Sequence, residues 1–354
     1  MALGLPSVNI QFIQEGITAI QRGNRGVVAL ILEEAEAMGE FTISDITDIP
    51  EGLREENRQL VVNALLGNTY APLKIELFVL KANSEQVAAL DHFESVYFDY
   101  LAFPSATEEQ KTEIVAWIKA LREQGIMRKA VLANKNADYE GIINVTQGDV
   151  RVGEKTYSAS EFTARVAGLL AGTDLRVSTT YTVLPEVDYI PYEKRDVTAE
   201  KVSNGEFVLI REARKIRVAR GVTSLTSTIE GKGSLFQKIK VADVMDLIAN
   251  DIKRTATENY LGKYANSYDN KCLLISAIRS YLDKLVIEGL VEKNTPQVDI
   301  DMEQQRAFLK GIGVDLTTLT EQEIKEYNTE DKIFLRVSCK ILDAIEEISI
   351  RIFI

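Results

Sequence analysis

One histidine, two cysteines and one tryptophan in 354 residues leave little material for the usual chemistry of enzyme sites. His92 stands in Leu90-Asp91-His92-Phe93 with no second imidazole for a relay or a His-rich metal site, and a lone histidine beside aromatics reads as a structural residue. Cys272 and Cys339 are far apart in apolar settings without Cys-x-x-Cys or Cys/His spacing, so they read as buried thiols of a reducing compartment. Long apolar runs are missing too. The longest, Val27 to Leu32, is far too short to span a bilayer, and Met1-Ala2-Leu3-Gly4-Leu5-Pro6 has neither a basic n-region nor an apolar h-region, so a soluble chain made in the cytoplasm is expected. Positive charge is in deficit, with 41 Lys and Arg against 53 Asp and Glu and a net charge of -12. That balance argues against a nucleic-acid backbone or an anionic membrane surface as the main partner.

Phosphate-handling loops are absent in the same way. Gly231-Lys232-Gly233-Ser234 has Thr226 where a phosphate loop needs its first glycine and Gly233 where it needs Ser or Thr, so it reads as a plain flexible loop. Phe103-Pro104-Ser105-Ala106-Thr107, after a strand, lacks the glycines that let backbone approach a pyrophosphate. Carboxylate pairs exist at Asp299-Ile300-Asp301 and Glu346-Glu347, but an acidic chain supplies such pairs by chance, and Met302-Glu303-Gln304 does not continue as a calcium loop. No catalytic residue, cofactor-binding residue or metal ligand is therefore expected. A cytoplasmic α/β enzyme with an unidentified carboxylate site stays open as the alternative.

What the chain does have is apolar strands at both ends. Ile348-Ser349-Ile350-Arg351-Ile352-Phe353-Ile354 places isoleucine at every second position up to the last residue. Ahead of it, Ile333, Leu335, Val337, Cys339 and Ile341 share one face of a strand over Ile333–Leu342, and near the other terminus Val8, Ile10 and Phe12 alternate with Asn9 and Gln11. Uncapped apolar strands offer unpaired N–H and C=O groups that recruit another chain. They either close the protein's own sheet or exchange between subunits.

Between the ends, 45% hydrophobic content over this length implies two or so domains with real cores. Val27–Leu32 reads as a strand buried on both faces, Leu53–Leu66 as a helix, and Leu73–Leu80 as a strand. Val96–Phe103, a helix opened by Thr107-x-x-Gln110 and closed near Gly125, and Lys129–Ala133 make a βαβ unit with a parallel pair. A hairpin over Gly148–Thr156 and a helix opened by Ser158-x-x-Glu161 follow. Past Pro185 come β-runs at Phe207–Arg211 and Ile216–Val222. Two long helices follow at Lys240–Tyr260, with Val241, Val244, Ile248 and Ile252 in a stripe, and at Asn270–Gly289; a short one opens with Thr320-x-x-Glu323. The expected class is multidomain α/β and α+β: an N-terminal arm over 1–20, an α/β domain over 21–185 with a variable outer part, an α+β domain over 186–345, and a C-terminal arm over 346–354.

Four stretches together resemble one family. These are Leu5-Pro6-Ser7-Val8-Asn9-Ile10 followed by Arg25-Gly26-Val27-Val28-Ala29; Arg220-Gly221-Val222-Thr223-Ser224-Leu225; Tyr281-Leu282-Asp283-Lys284-Leu285 with Glu288-Gly289-Leu290; and Lys332-Ile333-Phe334-Leu335-Arg336-Val337 through Asp343-Ala344-Ile345-Glu346-Glu347-Ile348-Ser349-Ile350. In order and over nearly the whole chain they resemble the contractile tail sheath proteins of bacteriophages and phage-tail-like bacteriocins, in particular the compact Gram-positive type. The resemblance is weakest over 40–180. It implies a structural, non-enzymatic subunit that polymerises as stacked, hexameric rings around an inner tail tube, between baseplate and tail terminator, without nucleic acid or membrane insertion. It implies assembly in the bacterial cytoplasm and then residence in a virion tail or released particle. By the same resemblance Val8, Ile10, Phe12, Ile348, Ile350, Ile352 and Ile354 lie on exchanged arms. Ile333, Leu335, Val337, Cys339 and Ile341 then belong to the receiving strand, Gly16, Gly23 and Gly26 are hinge candidates, and Lys238, Lys240, Lys253, Arg254 and Lys263 are candidates to face an acidic tube. Another oligomeric tail component, a baseplate or terminator protein, is the nearest variant of this reading.

Overall fold

Six consecutive apolar residues open β1 (Val27–Glu34), and their burial alternates between two cores. A computed structural model describes residues 20, 23, 25–228 and 232–353; Val8, Ile10, Phe12, Gly16, Gly231 and Ile354 lie outside the described residues. Val28, Leu30 and Leu32 face one core while Val27, Ala29 and Ile31 face the other, as a strand covered on both sides requires. β2 (Gly39–Ile43) runs antiparallel to β3 (Lys74–Lys81), and between them lies α1 (Glu55–Leu65). After α2 (Val87–Ser95), the strand β4 (Tyr100–Ala102), the helix α3 (Glu108–Glu123) and β5 (Lys129–Ala133) form the expected parallel βαβ unit. Its helix starts where Thr107 Oγ1 accepts from Gln110 N–H and Gln110 answers on Thr107 N–H. β6 (Ile142–Val145) follows, then the hairpin β7 (Val150–Val152) and β8 (Lys155–Tyr157), and α4 (Ala159–Ala171), opened by the Ser158/Glu161 box.

α1 and α4 cover one face of the sheet, α2 and α3 the other. The crossing of α1 and α4 is so close that a Cβ on Gly168 would sit 1.9 Å from the Ala64 carbonyl oxygen. Gly168→Ala is therefore expected to push the helices apart and cost about 3 kcal/mol, read as a lowered midpoint in chemical denaturation. Next come α5 (Arg195–Ser203), β9 (Glu206–Phe207) and the hairpin β10 (Leu209–Glu212) with β11 (Lys215–Val218). β9 adds to the main sheet, whose order is β2-β3-β1-β4-β5-β6-β9, and all of it but β2 is parallel. Phe207, Leu209, Ile216, Val218 and Ile239 pack into the same core as β1. The α/β unit thus runs past the position expected for its end, near residue 185.

The long helices are α6 (Ile239–Thr255) and α7 (Tyr268–Ile287), joined through a wide helical turn at Ala256–Tyr260. Val244, Leu247, Ile278, Tyr281, Leu282 and Leu285 form a third core, with Ile248 and Ile252 half-buried against it. β12 (Gln297–Ile300), α8 (Met302–Gly311), α9 (Glu321–Glu326) and β13 (Leu335–Ser338) complete the chain, β12 and β13 pairing antiparallel. The expected strand Ile333–Leu342 is interrupted. Past Ser338 the ladder breaks because Lys340 N–H donates to Thr295 Oγ1, and the chain resumes pairing against a different segment, with Ile341 bridged to Val291. Ile333 lies ahead of the ladder. Both cysteines are free and half-buried, less enclosed than expected.

Candidate assembly surface

The last residues of the described chain leave the body as an extended, unpaired segment. Ile348, Ile350 and Ile352 are 77%, 75% and 82% exposed and Phe353 90%. Each such side chain leaves roughly 2 kcal/mol of burial unrealised. No hydrogen bond within the described residues ties their backbone to a ladder.

The segment is fixed at its root. Glu346 is half-buried with its side chain turned inward, and its Oε1 accepts from Thr180 Oγ1 (2.6 Å) and Ser178 Oγ (3.1 Å) while Oε2 accepts from Arg220 Nε (2.9 Å) and faces Lys238 Nζ at 3.4 Å. Lys238 also pairs with Asp343, and Lys240 Nζ donates to the Leu342 carbonyl. Burial alone would raise the Glu346 carboxyl, but the hydrogen bonds from Thr180 and Arg220 and the charges of Lys238 and Arg220 outweigh it and hold the group below the usual glutamate range. A depressed pKa in the folded state contributes stability at neutral pH that disappears as the pH falls through that depressed value. Acidification below the ordinary glutamate range is therefore expected to loosen the root before the cores, seen as faster amide exchange at residues 343–347 than in β1.

The strand that the resemblance places on the receiving side contains β13. Because Asp301 N–H donates to the Phe334 carbonyl, the ladder phase makes Arg336 and Ser338 the inward-bonding residues opposite Asp299 and Gln297. The N–H and C=O groups of Leu335 and Val337 then point to the other edge, where no described residue pairs with them. Val337 is 38% and Ile333 40% exposed on this rim, while Cys339, Leu335 and Ile341 pack partly against the third core. Burial pushes the Cys339 thiol up, so it stays protonated and inert.

At the other root, Gly23 N–H donates to Asp251 Oδ1 (2.8 Å), and the N–H groups of Gly26 and Val27 both donate to Asp99 Oδ2 (2.7 and 2.9 Å). Gly26 has φ of +95°, and a Cβ there would meet the Ala171 carbonyl at 3.2 Å, which is why glycine stands at this corner. Gly23 and Gly26 are thus pinned in this conformation.

The basic candidates fall into two groups. Lys238 and Lys240 turn inward to the arm root, Lys240 being only 6% exposed, so their charges are met inside the subunit rather than on an outer surface. The reason is that their partners, Leu342, Asp343 and Glu346, arrive from about a hundred residues away. Lys253 and Lys263 stay exposed, donating to the carbonyls of Gln124 and Glu258, and Arg254 pairs with Asp251.

Sequence reasoning missed the buried acids of α6. Asp243 pairs with Arg25 and Lys129 and accepts from Tyr100 Oη; Asp246 takes Arg122 at 2.8 Å and also Lys129. Burial would raise Asp246, yet the charges of Lys129 and Arg122 hold it down as a carboxylate. At 3.6 residues per turn Asp243, Asp246 and Asp251 spread over roughly 140° of the helix, so no single stripe marked them in the sequence. His92 lies between Phe78 and Phe93 with Nδ1 2.6 Å from Glu40, a packed position outside any cavity. Among the described residues no group of three or more His, Cys, Asp or Glu is placed to hold a metal ion, and no helix is long and apolar enough to cross a membrane.

Comparison with known proteins bears on this arrangement of arms and edge. The phage tail sheath protein central domain matches residues 81–224, and the phage tail sheath C-terminal domain residues 231–354. The tail sheath protein of Clostridium phage phiCD119 is 41% identical over 99% of both chains. The phage-like element PBSX protein XkdK of Bacillus subtilis is 31% identical over 63% of this chain and 49% of its own. Among solved structures, the contracted helical sheath of the anti-feeding prophage superposes with a TM-score of 0.73 at 15% identity over 99% of both chains. The sheath tail protein of Desulfitobacterium hafniense gives 0.70 at 22% identity over 83% of this chain and 94% of that one. At these identities the superpositions establish a shared fold.

Proposed function

This chain belongs to the phage tail sheath family, a structural subunit of a tail sheath, and we propose that it polymerises by strand exchange through its two termini. The observation that carries the reading is the match between an exposed, unpaired run of alternating isoleucines, Ile348–Phe353, and an open strand edge at Leu335 and Val337. One subunit's arm adds to the edge of a neighbour's β12–β13 pair, converting a two-stranded ribbon, marginal alone, into a larger sheet. The segment around Val8, Ile10 and Phe12 supplies the second exchanged strand, flexing ahead of the pinned Gly23, at Gly16.

Subunits so linked stack as hexameric rings around an inner tail tube, capped by baseplate and terminator proteins, after assembly in the bacterial cytoplasm. Contraction moves them as rigid bodies from a metastable extended lattice to one burying more surface, which drives the tube through a target envelope as part of a virion or a released phage-tail-like particle. The work comes from the difference between two packings, so the reading requires neither a cofactor nor catalysis. Lys253 and Lys263 remain the candidates to face an acidic tube.

Electron microscopy of the purified full chain at rising concentration tests the proposal. Hollow tubes or stacked rings are expected; a uniform population of monomers at every concentration would sink it.

A further inference from the structure

Both arm roots are tied to one helix. At the N-terminal root, Arg25 pairs with Asp243 and Gly23 N–H donates to Asp251, both acceptors on α6. At the C-terminal root, Lys238, the residue that caps α6, pairs with Asp343 and Glu346, and Lys240 in its first turn donates to the Leu342 carbonyl. The chemistry is of opposite sign at the two places, lysines holding one arm and aspartates the other. Eleven residues separate Lys240 from Asp251, about 16 Å along the axis. The remaining acid of the helix, Asp246, bolts it to the α/β unit through Arg122 and Lys129, and Tyr281 Oη on Asp251 joins it to α7.

We infer that α6 is the strut through which tension between a subunit's two arms passes. Force entering at Gly23 and Arg25 meets α6 before it reaches β1, and force entering at Ile348 meets Glu346 and Asp343 before it reaches β13. The seven-stranded sheet then lies beside this path, fastened to the strut by Asp243 as well as Asp246, through Tyr100, Arg122 and Lys129. The helix is also suited to tension: Arg25–Asp243 and Lys238–Asp343 are largely buried and half-buried ion pairs, which lose far more when one partner is withdrawn than exposed pairs do, and the Gly23–Asp251 and Lys240–Leu342 hydrogen bonds add to them. Arg25, Lys238 and Lys240 act as positioning residues that set the distance and direction between the arms. The inference rests on the strand-exchange reading for its purpose, but its mechanics belong to one subunit.

Single subunits held by handles at the two chain ends and kept at constant force provide the test. The first event expected is release of an arm root while the seven-stranded sheet stays folded. Arg25→Met leaves Asp243 with Lys129 and Tyr100, and Lys238→Met leaves Glu346 with Arg220 and Thr180, so both variants fold, which circular dichroism verifies. Each should shorten the lifetime of that first event about tenfold. Arg165→Met, breaking the buried Arg165–Glu186 pair away from α6, should leave it unchanged. Lifetimes unaffected by either α6-tie variant, or shortened as much by Arg165→Met, would overturn the strut. Because no polymer is involved, failure here is separate from a failure to form tubes.

Discussion

A chain ending at Glu346 stays a folded monomer and builds no tubes. Among the described residues, deleting 347–354 removes exposed side chains that belong to none of the three cores, so the unfolding midpoint should move by less than about 0.5 kcal/mol. Assembly is a different matter. Four apolar side chains, Ile348, Ile350, Ile352 and Phe353, each lose roughly 2 kcal/mol of burial per contact, on the order of 8 kcal/mol before any ladder hydrogen bond is counted, or more than 10⁵ in association constant. No accessible protein concentration compensates for that. Sedimentation velocity beside electron microscopy gives the readout, and tubes from the shortened chain would end the strand-exchange account of the C-terminal arm.

Val337→Pro should weaken assembly from the receiving side, though by less than the truncation does. Val337 sits opposite Val298 in a non-bonded pair, so its N–H points away from β12, and proline there removes a donor that the monomer does not use. The outer edge then offers an arm one fewer donor and a ring in the way, and the critical concentration for tube formation is expected to rise by about a hundredfold, the worth of one ladder hydrogen bond and the packing it aligns. Arg336→Pro is the contrasting variant. Its N–H bonds inward to Asp299, so it should unsettle the β12–β13 pair of the monomer itself, lowering protection of Gln297–Ile300 in amide exchange. If the two variants behave alike, the edge has been assigned to the wrong face.

Locally encoded features were legible in the sequence. The boxes at Thr107, Ser158 and Thr320 and the βαβ unit lie where the spacing placed them, because each is settled within a few residues by groups that reach their own backbone. The interior strand Val27–Leu32 was equally plain, an unbroken apolar run having no other good home. Features that depend on distant partners were not. The run from Phe207 was read as a strand, but nothing within it shows that Glu206 and Phe207 join the main sheet beside β6, so the α/β unit seemed to end some twenty residues early. Lysine at 238 and 240 looked like a solvated helix face because residue type reports average behaviour, whereas here Asp343 and Glu346 fold back onto them. Asp243 and Asp246 were hidden for the converse reason, since an aspartate becomes a core residue only when Arg25, Arg122 and Lys129 converge on it. The terminal alternation of isoleucine was plain in the sequence, but not the break after Ser338, which depends on Thr295.

The main sheet ends in a five-residue antiparallel strand, β2, on one side and in two residues, β9, on the other. The two-residue margin is a poor template for an incoming strand. A filament that grows by adding strands in a crowded cell faces the danger of branching, each wrong addition seeding a side growth that never closes. With one margin of its large sheet cut to two residues, the subunit leaves fewer places for a stray strand to add, and under the proposed strand exchange the fidelity of an unbranched polymer is helped by that missing edge.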